Sequence, residues 1–307
     1  MNTGNKIYYL LQSKIDKPKW DDCITNAGNG LIYAYSYYLD IMSKNWDALV
    51  LNDYEAVMPL TWNKKHGVYY LYQPAFAASL GIFGNNLSEQ LIDAFIQSIP
   101  QKFRLVEIAF NAGNILKTTL PLSIMRQNYI LELNKDYTVL QSGYRENVKR
   151  NIKKASQLNC AIKKNIPVSD IIALSKPAMY RLTNIKQEDY NNFEKLYNLL
   201  YSQNKAITYG VYSMNNVLVA SCAYFYSHGR AFYILVGNHP NGKTMGASHY
   251  LIDAFIKDHA NQDILLDFEG SDIRNLAFFY SSFGAACETY PFLKINRLPF
   301  WMKWMKK

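Results

Sequence analysis

The chain has 307 residues, 49% of them apolar and 19% charged, which excludes a disordered polymer and suits about two domains with a core each. Its formal charge of +9 points to an anionic partner only where the surplus is concentrated. Residues 145–164 hold seven basic residues against one acid, Glu146, and residues 294–307 hold five and no acid, so the remainder is slightly acidic. A general affinity for polyanions is thereby excluded, and two short segments carry the charge.

The first apolar run, Ile7 to Leu11, is shorter than a secretory leader requires, and no run approaches the ~20 residues of a membrane span. A cytoplasmic protein is expected. Cys23, Cys160, Cys222 and Cys287 are far apart, so they are expected as free thiols with no metal-ligand spacing.

In chain order, an amphipathic helix is expected at 33–43 and a strand at 47–51. A polar turn at 52–54 and a second strand at 55–62 follow. His66-Gly67 then turns into a third strand, and a loop leads to a helix over Leu91-Ile92-Asp93-Ala94-Phe95-Ile96 and a last strand at 103–110. The same order returns: helix 191–202, strand 207–212, turn 213–216, strand 217–226, His228-Gly229, and a third strand. The hexapeptide recurs identically as Leu251-Ile252-Asp253-Ala254-Phe255-Ile256, 160 residues downstream, before a last strand at 264–268. Four segments in one order at nearly one offset indicate a duplicated domain. In the second copy Leu251, Ala254 and Phe255 face the core at i, i+3, i+4, while Asp253 and Lys257 are expected on the wet side.

The order of helix, antiparallel meander and strand-loop-helix-strand, in two copies, resembles the GNAT acyltransferase superfamily, and within it the tandem branch containing the Fem peptidoglycan ligases. Supporting stretches are Gln127 to Leu133 with Tyr144 to Ala155, a strand followed by a basic helix. Met245 to Leu251 is similar to a loop-to-helix entry. Leu266 to Ser271 with Phe279 to Gly284 resembles the last strand and carboxy-proximal signature. The fold implied is α/β (α+β): two tandem GNAT-like domains, each a mixed, mostly antiparallel sheet flanked by helices. Their expected bounds are 1–135 and 136–307, the second starting with a basic linking helix at 138–158. Where the Fem signature has a Phe-Lys pair, this chain has Phe279-Tyr280, and it shows no long charged coiled-coil hairpin.

The resemblance implies transfer of an acyl group, acetyl or aminoacyl, from a thioester or ester donor to an amine acceptor, with acetyl-CoA or another acyl-CoA as donor and no metal. It places the pantetheine arm beside Leu235, Val236 and Gly237, whose backbone N–H groups polarise the carbonyl. The pyrophosphate belongs on Gly242, Lys243, Thr244, Gly246, Ala247 and Ser248, because helix amino ends attract anions. That stretch departs from the Q/R-x-x-G-x-G/A pattern by ending in serine. The corresponding first-copy stretch, Gln73 to Gly84, is apolar, which assigns the donor to the second copy. Glu269 is the candidate base, Asp267 a second, and Tyr280 the candidate acid for the leaving group. Other readings are that Glu269 caps the segment after it and that Tyr280 is a packed aromatic.

At ~100° per residue, Arg145, Lys149, Lys153, Arg150 and Lys154 fill one arc of a helix whose other arc carries Tyr144, Val148, Ile152, Ala155 and Leu158. Arg145, Lys149, Arg150 and Lys153 are candidates for binding an anionic ligand in a cleft between the copies; a merely solvated face is the alternative. The tail Leu298 to Lys307 mixes aromatic and basic residues, either packing Trp301 and Trp304 or resting weakly on a membrane surface. Two rival functions stand beside acyl transfer from a thioester: a Fem-like ligase using aminoacyl-tRNA, and a non-catalytic binding module that keeps the fold.

Overall fold

The computed structural model describes residues 6–116, 123–182, 185–269 and 272–299. It divides into two compact units, Met1–Arg126 with Thr289–Lys307, and Gln127–Glu288. The division therefore falls nine residues before the expected 135/136 boundary, and the carboxy-terminal strand groups with the first unit.

In the first unit, β1 (Ile7–Leu10) precedes α1 (Lys17–Asn26), whose start is fixed by Asp16 accepting the Lys19 N–H and by Pro18 in the first turn. Then come α2 (Ser36–Met42), β2 (Trp46–Leu51), β3 (Ala56–Lys65), β4 (Val68–Leu71) and the short β5 (Phe83–Gly84). Helix α3 (Glu89–Gln97), capped by Ser88, carries the first hexapeptide with Ile92, Phe95 and Ile96 buried, and β6 (Phe103–Ala109) follows. The order β1-β2-β3-β4 is antiparallel throughout, and β4 runs parallel to β6.

Strand β7 (Ser123–Glu132) follows and, with α4 (Tyr137–Ser142) and α5 (Glu146–Gln157), opens the second unit. The expected single basic helix at 138–158 is thus two, separated at Gly143–Arg145. Next are β8 (Ala161–Lys164), α6 (Val168–Leu182) and α7 (Gln187–Ser202), then β9 (Ala206–Tyr212), β10 (Leu218–Ser227) and β11 (Arg230–Asn238). Helices α8 (Pro240–Met245) and α9 (Ala247–His259) lead to β12 (Leu265–Asp267), α10 (Arg274–Ser281) and β13 (Ala286–Asn296). The pairing senses repeat those of the first unit: β8-β9-β10-β11 antiparallel, β11-β12 parallel. Both His-Gly turns have positive φ at both residues, 48° and 81° at His66-Gly67, 50° and 65° at His228-Gly229, the two-residue turn that matches strand twist.

The strands that follow β6 and β12 pair as follows. Strand β7 lies antiparallel to β12 in the second unit, and the later half of β13 lies antiparallel to β6 in the first. The cores are aromatic: Trp20 and Trp46 are fully buried with centroids 5.1 Å apart in the first unit, and Tyr224 stacks on Phe255 at 3.8 Å in the second. Each such ring contributes about 1.5–3 kcal/mol by burial. Asp253 is a correction: it is buried, and Tyr137 Oη donates to it at 2.9 Å, so the hexapeptide helix turns this carboxylate inward. Arg297 ties the end of β13 by donating to the carbonyls of Ile99, Pro100 and Phe103 at 3.3–3.4 Å. Trp301 and Trp304 lie outside the described residues.

Candidate active site at the diverging strands of the second unit

Strands β11 and β12 are paired only at Arg230–Leu265, Ala231–Leu266 and Phe232–Asp267. Beyond Phe232 the β12 edge of β11 has no strand partner among the described residues, so the two strands part. At the same place β11 bulges: Tyr233 pairs with Tyr224 and Leu235 with Ala223, leaving Ile234 as the extra residue. A bulge reverses which N–H groups face each edge. The His239 N–H donates to Val219 O, and in an antiparallel ladder this turns Leu235 and Gly237 toward β10 and the Val236 N–H toward the open edge. Of the three residues expected to supply donors, only Val236 is left to do so. Gly237 has another reason to be glycine, since a Cβ there would lie 2.7 Å from Ser221 Oγ and 2.8 Å from Leu174 Cβ.

Three groups converge where β12 ends. Asp267 is buried and takes three donors: Arg230 Nη1, Asn128 Nδ2 and the Glu269 N–H, each at 2.9 Å. Arg230 also reaches Glu288 at 2.9 Å. Burial pushes the Asp267 carboxyl up, against the pull of Arg230. With its oxygens so engaged, Asp267 holds the backbone of Glu269 rather than standing free as a base. Glu269 itself sits at φ 61°, a conformation unusual for a non-glycine residue and frequent at functional sites.

Tyr280 is 8% exposed, stacks on Phe268 at 4.7 Å and meets Tyr233 edge-on at 6.2 Å. Burial drives its hydroxyl well above the ordinary phenol range, with Cys222 and Glu269 adding to the effect. Burial pushes the Cys222 thiol well above its ordinary range, and Glu269 adds to the effect. Glu269 therefore lies within electrostatic reach of Tyr280 and Cys222, and its backbone is held by Asp267 just past the end of β12. The sequence marks Cys222 only as a free thiol, and nothing in its surroundings signals the neighbouring carboxylate, which arrives from 47 positions downstream.

The expected phosphate loop is a helix. Pro240–Met245 form α8, begun by His239, whose Nδ1 accepts the Asn241 N–H, and the Gly242 N–H is engaged by His239 O. Gly242 lies against β10, where an added Cβ would be 2.1 Å from Val219 O. Gly246 joins α8 to α9 at φ 76°, and its Cβ would be 2.4 Å from Asn151 O of α5. No side chain caps α9, and Ser248 Oγ donates to Asn238 instead at 2.6 Å. Lys243 and Thr244 lie on α8, with Thr244 Oγ1 bonded to Asn241 O. The surviving anion-attracting element is the amino end of α9. His249 packs its ring on Phe279 at 4.8 Å, and burial lowers it to about 4.

The basic helix α5 packs on α9 and α8 within the second unit. Its buried side holds Val148 and Ala155, as the wheel requires, but Leu158, expected on the same arc, follows the last helical residue and is 42% exposed. Arg150, Lys153 and Lys154 are exposed, Lys149 pairs with Glu146 at 3.2 Å, and Arg145 lays its guanidinium over Phe278 at 4.7 Å.

Among the described residues the first unit has no comparable gap. Leu80 inserts a parallel bridge to Phe110, donating to Ala109 O at 2.7 Å and accepting from the Asn111 N–H at 2.8 Å. Gln73 spans the opening, accepting the Ala109 N–H at 3.1 Å and donating to Ala77 O at 2.8 Å. The apolar 73–84 stretch thus closes its own strands. No group of side chains suited to a metal ion occurs among the described residues.

No family model and no curated protein matches the chain. Among solved structures, FemX is similar over 98% of this chain and 99% of its own, with TM-score 0.64 and 11% identity. The C-terminal DUF2156 domain of a lysylphosphatidylglycerol synthetase candidate from Agrobacterium fabrum gives 0.56 and 8% over 93% of each chain. N-myristoyltransferase of Saccharomyces cerevisiae with bound myristoyl-CoA gives 0.50 and 10%, over 94% of this chain and 82% of that one. The fold is GNAT-like and of the Fem-like kind. No helix among the described residues is long and apolar enough to cross a membrane.

Proposed function

We propose that the second unit transfers an acyl group from a thioester or ester donor to an amine. The observation that carries this is the coincidence of an open strand gap, a bulge and a carboxylate-phenol pair at one place. The Val236 N–H at the open edge is positioned to polarise a carbonyl lying in the gap. Glu269 takes the proton from the attacking amine as the nitrogen–carbon bond forms and the carbon–sulfur or carbon–oxygen bond breaks. Tyr280, held protonated, donates a hydrogen bond to the leaving atom. A thiolate is less basic than this phenol, so it keeps the hydrogen bond without taking the proton; a departing alkoxide, being more basic, takes it. Acyl-CoA fits the site as donor, with its phosphates toward the amino end of α9 and the exposed lysines of α5. The duplicated order of elements is best read as a tandem repeat in which the first copy, closed by Leu80 and Gln73, serves the acceptor. A cytoplasmic location accords with the four free cysteines.

An aminoacyl-tRNA donor is the second reading. Arg145, Lys149 and Lys153 repeat every fourth residue along α5, a stripe longer than one pyrophosphate occupies and suited to a phosphate chain. Melting-temperature shifts with acetyl-CoA, desulfo-CoA and transfer RNA separate these donors; no shift with any of them leaves the fold as a binding module. Glu269→Gln is expected to lower turnover at least a hundredfold with little change in melting temperature, and undiminished turnover removes Glu269 from the reaction.

A further inference from the structure

The start of α10 leaves apolar side chains in solvent. Ile273 is 50% exposed, Leu276 37% and Phe278 55%, three within six residues. They do not form one stripe. At ~100° per residue, Ile273 and Leu276 are about 60° apart and Phe278 is about 140° round the helix on the other side. A protein partner covering all three would need a socket enclosing the helix end. A fluid hydrocarbon phase covers them from every side without one.

Two exposed arginines flank this end. Arg145 lies over the Phe278 ring at 4.7 Å and Arg274 occupies the first helical position, exposed. Of the carboxylates nearby, Asp272 accepts the Gln127 N–H at 3.3 Å, and Glu146 pairs with Lys149 at 3.2 Å. Exposed apolar groups flanked by guanidinium groups match a lipid interface bearing negative head groups. Nucleic acid would satisfy the cations but offers no medium for Ile273 and Leu276.

We propose that the start of α10, with Arg145 and Arg274 beside it, docks on an anionic lipid surface, seating Leu276 and Phe278 among the acyl chains near the head groups. This contact is separate from the aromatic tail after Leu298 and does not rest on the acyl-transfer reading, although it shares Arg145 with the basic stripe.

The test is co-sedimentation of the full chain with phosphatidylcholine vesicles and with an equal mixture of phosphatidylcholine and phosphatidylglycerol. Binding is expected to be at least tenfold tighter to the mixture. Leu276→Ser with Phe278→Ser, both solvent-facing, is expected to weaken that binding about tenfold or more without lowering the melting temperature. Should that pair fail to fold, Arg274→Glu serves alone: each charge near the surface is worth about fivefold, so reversal predicts about twentyfold weaker binding. Absence of binding to the anionic vesicles overturns the docking surface, as does unchanged binding of the variants. Displacement from vesicles by transfer RNA, or a dimer by light scattering that the paired variant makes monomeric, assigns the face to another occupant and also overturns it.

Discussion

Gly246 and Gly242 offer a sharp choice between packing and ligand approach. If they were glycines so that a phosphate could come close, replacing them with alanine would leave the free protein untouched and weaken only ligand binding. At Gly242, within α8 and at an ordinary φ, alanine would even stabilise by about 0.5–1 kcal/mol through reduced chain entropy. The structure predicts the opposite sign. An alanine Cβ at position 242 meets Val219 O at 2.1 Å, and relieving such overpacking costs about 1–3 kcal/mol. At position 246 the Cβ meets Asn151 O at 2.4 Å and the backbone is at φ 76°. The left-handed conformation adds about 1–2 kcal/mol to the crowding, for a total of about 2–5 kcal/mol. Urea unfolding of Gly242→Ala and Gly246→Ala without ligand, followed by far-ultraviolet circular dichroism because all five tryptophans lie outside the second unit, reads both. A Gly242→Ala protein as stable as the parent, or more so, refutes the packing explanation.

Arg230→Met removes the cation shared by Asp267 and Glu288 and is expected to cost about 3–5 kcal/mol at neutral pH. The loss shrinks as pH falls through the raised Asp267 titration, because a protonated carboxyl needs no counter-ion; an equal loss at pH 7 and at acid pH contradicts this. His249 binds its proton at about 4 when folded and near 6.5 when unfolded. Its share of stability is therefore complete above pH 6.5 and is lost as pH falls toward 4. After discounting for partial exposure that share is about 1–2 kcal/mol, and His249→Leu is expected to flatten the pH slope of urea unfolding by that amount.

Much of this arrangement was legible in the residues. Paired His-Gly turns and a repeated hexapeptide mark equivalent hairpins and helices because turn chemistry and helical periodicity are local. Asp253 was misread because its partner, Tyr137, lies 116 residues away, and a wheel knows only its own helix. The α8 helix had a local signal, Pro240 in the first turn after a capping His239, but the glycines drew attention toward a phosphate loop. The bulge at Ile234 and the burial of Tyr280 depend on strand register and on rings from several elements, which no short pattern encodes. The closure of the first copy by Leu80 agrees with its apolar sequence, though the bridging bond itself was not readable.

The exchanged strands bear on the order in which a growing chain can finish folding. The second unit is contiguous and is complete once Glu288 has been added. The first unit, although synthesised earlier, keeps the β6 edge open until β13 arrives to pair with it. The earliest residues made are therefore the last to close their sheet, and during synthesis that unsatisfied edge must be kept from pairing elsewhere. A chain interrupted within β13 is expected to retain the gap, the bulge and the carboxylate-phenol pair while the unit at its beginning remains unfinished.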